Sequence, residues 1–328
     1  MLNRSAGIEA VAEYLPPRVA SVGELESRGL LRGSARLLRS FGFETVHLAG
    51  RESNLDMAVA AAEKLLDETD IDRDEIGMIL YAAALNSSST LWNGNGVSRP
   101  GSVLDLDNVH DLFKYPGSVL QTRLDLRNAS VVGINQVGCA SIFAALRMAR
   151  ALIATEDDLG AVLCVSADKF PSDQRRDLAY NVVSDGACAA LVRRNARRNR
   201  IIECSQITKG ALWDSDEIEN EIIAAYFPTA AALIQRTLDN AGLTIDDIAL
   251  VVPHNVSLRS WEILGRLIKC PPDRIYTNNI SRVGHTIASD NLMNLRHATE
   301  AGLIEKGEHM LLFTFGYGSN WACMVVQH

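Results

Sequence analysis

Apolar residues along the chain fall into two recurring patterns. Short, almost continuously apolar runs, among them MILYAA (78 to 83), SVVGIN (130 to 135), AVLCV (161 to 165), IALVVP (248 to 253) and MLLFT (310 to 314), read as buried strands. Between them lie stretches with apolar residues every three or four positions. The clearest is SIFAALRMARALIA, apolar at Ile142, Phe143, Leu146, Ala149 and Ile153, which predicts an amphipathic helix. Strands interleaved with helices predict an α/β fold with a mostly apolar sheet.

The pattern repeats. AAEKLLDETDIDRDEIGMILYAA (61 to 83) aligns without gaps on LIQRTLDNAGLTIDDIALVVPHN (233 to 255), each reading as amphipathic helix, acidic turn and buried strand. LRMA (146 to 149) with AVLCV matches LRHA (295 to 298) with MLLFT at one common offset, and ACAALV (187 to 192) matches ACMVV (322 to 326) in the same order. The expectation is two similar halves, 1–195 and 200–328, joined at the Arg-rich turn 193–200. A long polar stretch, Leu85 to Lys114, interrupts the first half, and a loop of that length in a compact domain is usually functional or mobile.

The chain has 328 residues, a net charge of −8 and 47% hydrophobic content, values of an ordinary globular protein of one large or two fused domains. The acidic balance argues against nucleic acid as a partner, and the Arg193, Arg194, Arg197, Arg198, Arg200 cluster reads as a solvated turn. The most apolar stretch, Gly138 to Ala154, carries Arg147 and Arg150, which argues against a membrane span. No signal-peptide pattern opens the sequence, so a cytoplasmic location is expected. The six cysteines lie singly, so no structural metal is expected, and most read as core residues.

One cysteine has a context of its own. Strand SVVGIN runs through QVGCAS into the helix, which puts Cys139 at or just before a helix N-terminus with Gly138 leaving room at the turn. Backbone N–H groups and the helix dipole there favour the thiolate, the nucleophilic form; a buried cysteine in a helix cap is the competing reading. His254 follows a buried strand, at the sheet edge where α/β sites form. His285, in SRVGHTIASDN, precedes a helix whose counterpart in the first half begins near Cys139, so the repeat brings the two to similar positions. FTFGYGSNW (313 to 321) follows another buried strand; its glycines let backbone approach a ligand and present an N–H to an oxyanion, although a tight hairpin reads the same way.

These segments, YPGSVLQTRLDLRNA, GINQVGCAS, VLCVSADKF, YNVVSDGACAALV, the PHN at His254 and FGYGSNW, resemble the ketoacyl synthase III branch of the thiolase superfamily over nearly the whole chain. The resemblance implies a five-layered αβαβα sandwich of two related halves, and a homodimer. It implies that Cys139 accepts an acyl group from an acyl-CoA or acyl-carrier-protein thioester, and that His254 hydrogen-bonds the thioester carbonyl of the second substrate. The backbone N–H groups of Cys139 and Gly318 would form the oxyanion hole, and Arg259 and Arg266, on one helix face beside Trp261, would receive an acidic carrier protein. No metal or redox cofactor is required.

The sequence also departs from that family. His285 stands where the housekeeping enzymes have Asn, with Asp290 following. Both histidines donating to the carbonyl would support decarboxylative condensation. His285 as a general base oriented by Asp290 would instead support acyl transfer to a hydroxyl or amine. SRGLLRGSARLLRSFGF lacks the aromatic and arginine arrangement expected for CoA, which points to a carrier-protein donor, and the insert from Ser87 to Asp111 falls where the family builds its dimer interface and acyl pocket. Together these differences point to a specialised fatty-acid or polyketide pathway. A catalytically silent acyl-binding subunit is the third reading, and the joint retention of Cys139, His254 and the glycine loop argues against it.

Overall fold

The computed structural model describes residues 5–88, 113–179, 181–214 and 217–328. Most of the insert expected to shape the pocket, 89–112, lies outside the described residues.

Nine strands form one sheet, in the order Ile248–Pro253, His309–Gly316, Asn320–Gln327, Arg200–Thr208, Ala6–Tyr14, Gly186–Arg194, Ala161–Asp168, Ile76–Ala82, Ser130–Ile134. Apart from the terminal strand Ser130–Ile134, which has no counterpart at the other end, the order reads alike from both sides toward the middle. Ile76–Ala82 runs parallel to Ala161–Asp168, which pairs antiparallel with Gly186–Arg194; likewise Ile248–Pro253 runs parallel to His309–Gly316, which pairs antiparallel with Asn320–Gln327. The segments that match in sequence therefore hold matching places in the strand order. At the centre, Ala6–Tyr14 and Arg200–Thr208 meet at a single register pair, Gly7 with Arg200.

The side-chain alternation of the strands builds the layers. In Ala161–Asp168, Val162 and Cys164 face one core while Ala161, Leu163 and Val165 face another. The inner core gathers Ile142, Phe143, Leu146 and Ala149 of helix Ser141–Thr155 with Leu292 and Leu295 of helix Asp290–Glu300. Both helices touch strands from the two ends of the sheet order, so they form the central layer. Helix Asn54–Asp67 covers one outer face and helix Glu219–Ala241 the other. Strands such as Ala161–Asp168 and Asn320–Gln327 are thus buried on both faces, which explains their continuous apolar runs, whereas Ser130–Ile134, at one end of the sheet, is largely exposed.

Gly138–Thr155 is, by length and composition, long and apolar enough to cross a membrane, so Arg147 and Arg150 do not exclude it on composition as the sequence suggested. Its packing gives it another role: the apolar positions enter the central core, and Arg150 Nη2 donates to the Ile202 carbonyl at 2.7 Å. Within the Arg-rich turn, Arg197 pairs with Glu9 at 2.8 Å and Arg194 donates to the carbonyls of Glu156 and Leu159, so these arginines tie the turn to its neighbours.

Candidate active site

Two turns at the N-termini of the central helices meet at one cavity. The first leaves strand Ser130–Ile134, passes Gln136 at φ 67° and Gly138 at φ 54°, makes a short 3-10 turn over Gly138–Ala140, and enters helix Ser141–Thr155. Glycine is required at 138: a Cβ there would stand 2.9 Å from the Tyr317 carbonyl oxygen and 3.1 Å from Gly316 Cα. The FTFGYGSNW segment is a hairpin, joining strands His309–Gly316 and Asn320–Gln327, and its backbone lies directly on the turn that carries Cys139. Gly318, at φ 103°, lines the same cavity.

The second turn carries His285 and leads to helix Asp290–Glu300. It is pinned to the other half of the chain: His285 N–H donates to the Val182 carbonyl at 2.9 Å, and Ser184 N–H to the His285 carbonyl at 2.8 Å. Continuing the sequence register of LRMA and LRHA through the turns pairs Gln136 with His285, Gly138 with Ile287, and Ser141 with Asp290. Ser141 and Asp290 are each the first residue of their helix.

The geometry links three of the expected residues in a line. Cys139 Sγ lies 3.5 Å from His285 Nε2, and His285 Nδ1 donates to Asp290 Oδ2 at 2.6 Å. Asp290 is fully buried and also accepts the Thr286 N–H and hydroxyl, both at 2.6 Å, and the Asn255 N–H at 2.7 Å. Burial alone raises a carboxyl's pKa, but charged His285 and these donors prevail and hold Asp290 below the usual carboxylate range. For His285 burial works against the charged ring, yet Asp290 and Cys139 outweigh it and push the ring up to about 10, so it is an imidazolium near neutral pH.

His254 is the electrostatic opposite. It sits just past strand Ile248–Pro253, 1% exposed, against Trp261, Phe313 and His285 with ring centroids 5.8, 5.9 and 6.3 Å away. Burial first, then the like charge on His285, push it down to about 3, so it stays neutral. Among the described residues neither ring nitrogen has a hydrogen-bond partner; the Phe313 carbonyl favours the protonated ring slightly without reaching hydrogen-bond geometry with either. A neutral imidazole with free nitrogens is equipped to donate one hydrogen bond to a ligand oxygen.

The cavity has a volume of about 490 Å³ and is lined by Cys139, His254, His285, Gly318, Tyr226, Phe315 and Ile287, with Ala84, Leu85 and Asn86 on one wall. That wall is anchored by Asp168, 1% exposed, which accepts the Leu85 N–H at 3.0 Å and which burial pushes up to about 6. Helix Leu258–Leu267 borders the cavity at Ser260 and exposes Arg259 and Arg266. Trp261 does not stand beside those arginines: two residues from Arg259, it faces inward and donates from Nε1 to the His254 carbonyl at 3.0 Å.

Sequence reading did not find the polar frame behind the histidines. Asn291 Nδ2 donates to the carbonyls of Val252 and Phe313, Asn294 Nδ2 to the Pro253 carbonyl and Asn255 Oδ1, and Asn255 Nδ2 to the Gly284 carbonyl. It also missed the buried Arg176–Asp185 pair, 3.1 Å apart, which braces Phe170 beside the cavity. The signal available was a run of Asn and Asp inside otherwise apolar helix and strand ends, NDN-type residues that a buried helix does not need.

The architecture and this cavity define an α/β enzyme of thiolase fold that transfers acyl groups. Two solved structures match it along nearly their whole length. The 3-oxoacyl-[acyl-carrier-protein] synthase III of Aquifex aeolicus superposes with a TM-score of 0.82 at 20% identity, covering 98% of this chain and 100% of that one. The priming β-ketosynthase of the R1128 polyketide pathway superposes at 0.78 with 19% identity, covering 99% and 96%. The β-ketoacyl-[acyl-carrier-protein] synthase III of Staphylococcus saprophyticus is 24% identical over 98% of each chain. Models of the 3-oxoacyl-[acyl-carrier-protein (ACP)] synthase III family match residues 134–210, and of its C-terminal part residues 238–328, together just over half of the sequence. The chain belongs to the 3-oxoacyl-[acyl-carrier-protein] synthase III family.

Proposed function

We propose that this protein is a condensing enzyme that works in two half-reactions on a single sulfur. In the first, Cys139 Sγ attacks the carbonyl carbon of an acyl thioester. The new C–S bond forms as the C–S bond to the donor breaks; the proton that Cys139 gives up ends on the departing donor thiol while His285 keeps its own, and the backbone N–H groups of Cys139 and Gly318 hold the oxyanion in between. In the second, a malonyl-type thioester loses CO2; the electron pair of the broken C–C bond forms an enolate, which His254 and His285 stabilise by donating to its oxygen. The enolate carbon attacks the acyl carbonyl, the Cys139 sulfur leaves, and a 3-oxoacyl thioester results.

The observation that carries this reading is the pairing of Cys139 with a charged His285 while a neutral, unpartnered His254 stands on the same cavity. Acylation ends the contact between the free sulfur and His285 and leaves the His285 Nε2–H for the incoming carbonyl, so one ring serves both steps. Asp290 is the positioning residue that fixes its tautomer. Product mass tests it: condensation adds a malonyl unit less CO2. A product that gains only the acyl group on oxygen or nitrogen contradicts it.

Donors and acceptor are read as acyl-CoA and acyl-carrier-protein thioesters, with the carrier docking on Arg259 and Arg266; supporting this, both are exposed on the helix that borders the cavity at Ser260. The two halves, 1–195 and 200–328, are read as related units, supported by the strand order, which mirrors itself about the centre once the terminal strand Ser130–Ile134 is set aside. The protein is read as a cytoplasmic homodimer paired through its terminal strand, Ser130–Ile134, where Val132 is 36% exposed and exposed Tyr115 lines a cavity with Val131 and Gly133. Sedimentation at one protomer mass contradicts the dimer. Replacement of the family's Asn by His285 supports service in a specialised fatty-acid or polyketide pathway; full rescue of a strain lacking its housekeeping synthase contradicts that assignment.

A further inference from the structure

Seven non-glycine residues have positive φ among the described residues, and three of them, Gln136, Ala179 and Ile287, line the cavity. Ile287, at φ 59°, is the β-branched one. A branched side chain in the left-handed region crowds its own carbonyl, so the position is strained, and strain of this kind persists where the surroundings demand it. Its counterpart in the other turn is Gly138 at φ 54°. The fold thus makes the same left-handed step twice. At 138 the hairpin backbone leaves no room for a side chain; at 287 the chain keeps a large one where glycine is the unstrained residue.

Ile287 is 5% exposed and lies two residues from His285, whose Nε2 is 3.5 Å from Cys139 Sγ. We infer that Ile287 is a specificity-determining residue, kept against backbone strain because its side chain bounds the cavity beside the reacting sulfur and limits bulk on the first carbons of the acyl group. The inference rests on the proposed loading of Cys139. It assigns the enzyme to unbranched acyl thioesters in preference to those branched next to the carbonyl.

The test is the rate of acyl-adduct formation on the full chain, followed by intact-protein mass spectrometry, with butanoyl and 2-methylpropanoyl thioesters of both CoA and acyl carrier protein. The parent should load butanoyl at least about tenfold faster, the range that one misfit methyl commands. That preference should shrink about tenfold in Ile287→Ala and Ile287→Gly, and part of the way in Ile287→Val, the variant closest to the parent in volume. Ile287→Gly should also melt roughly 2 °C above Ile287→Ala, because alanine keeps the strain that glycine relieves. An unchanged preference in all three variants, or alanine melting above glycine, overturns the role of Ile287 while leaving the loading reaction intact. Absence of any adduct on the parent overturns the proposed function and this inference with it.

Discussion

The two turns that meet at the cavity share one left-handed step, at Gly138 and Ile287, and a helix start, and they differ in the side chains they bring to it. In the first, Gln136, Gly138, Cys139 and Ser141 bring a thiol to a helix N-terminus; in the second, the matching places hold His285, Ile287, Ala288 and Asp290, which bring a hydrogen-bonded histidine–carboxylate pair and no thiol. The difference also shows why the charges differ. Asp290 sits where a helix dipole and four donors stabilise an anion, and that anion in turn holds His285 charged. His254, outside both turns and among Trp261 and Phe313, has no such counter-charge in contact and stays neutral.

The largest expected effect separates the histidines. His254→Ala should lower condensation by roughly 10²- to 10³-fold, the usual cost of one oxyanion donor, while loading of Cys139 falls far less. Single-turnover loading and overall turnover measured on the same sample check this; equal losses in both would break the division of labour. Asp290→Asn should cost about 10- to 10²-fold and, more tellingly, move the alkaline limb of the pH–rate profile down from near 10, since His285 loses the carboxylate that raises it. A limb that stays in place assigns it to another group.

Gly138→Ala strikes the shared backbone. The new Cβ meets the Tyr317 carbonyl oxygen at 2.9 Å in a left-handed conformation, and a loss of about 1–3 kcal/mol by denaturant unfolding is expected. The smallest effect is on stability against pH. His285 is raised in the folded state, so its contribution is complete below the unfolded value of roughly 6.5 and is lost as pH climbs through about 10. His254 is depressed, so it subtracts stability as pH falls from roughly 6.5 toward about 3. Melting curves should therefore peak near neutrality, and Asp290→Asn should flatten the alkaline side.

Much of this was legible from the residues alone. The repeat announced matched strands and helices because buried strands and core helices must keep their apolar periodicity, and Cys139, His254 and His285 stood at strand and helix ends where sites form. Other parts left no local signal. The strand Ala6–Tyr14, which joins the two ends of the sheet, mixes Glu9 and Glu13 into its run because its ends reach Arg197 and Lys64. The two-stranded pairings Val19–Ser21 with Thr45–His47 and Asp177–Leu178 with Asn181–Val182 are too short to show a period. The Asn255–Asn291–Asn294 frame joins residues far apart in sequence, and nothing in an isoleucine announces a left-handed backbone at 287.

The central claim is that the acyl group passes through the sulfur of the first turn. Intact-protein mass spectrometry after incubation with a panel of acyl-CoA and acyl-carrier-protein thioesters, beside Cys139→Ala, tests it most directly. The account predicts one acyl mass added to the parent and none to the variant, with the adduct discharged by a malonyl-type thioester. An unmodified parent with every donor, or an adduct that survives in Cys139→Ala, would contradict it.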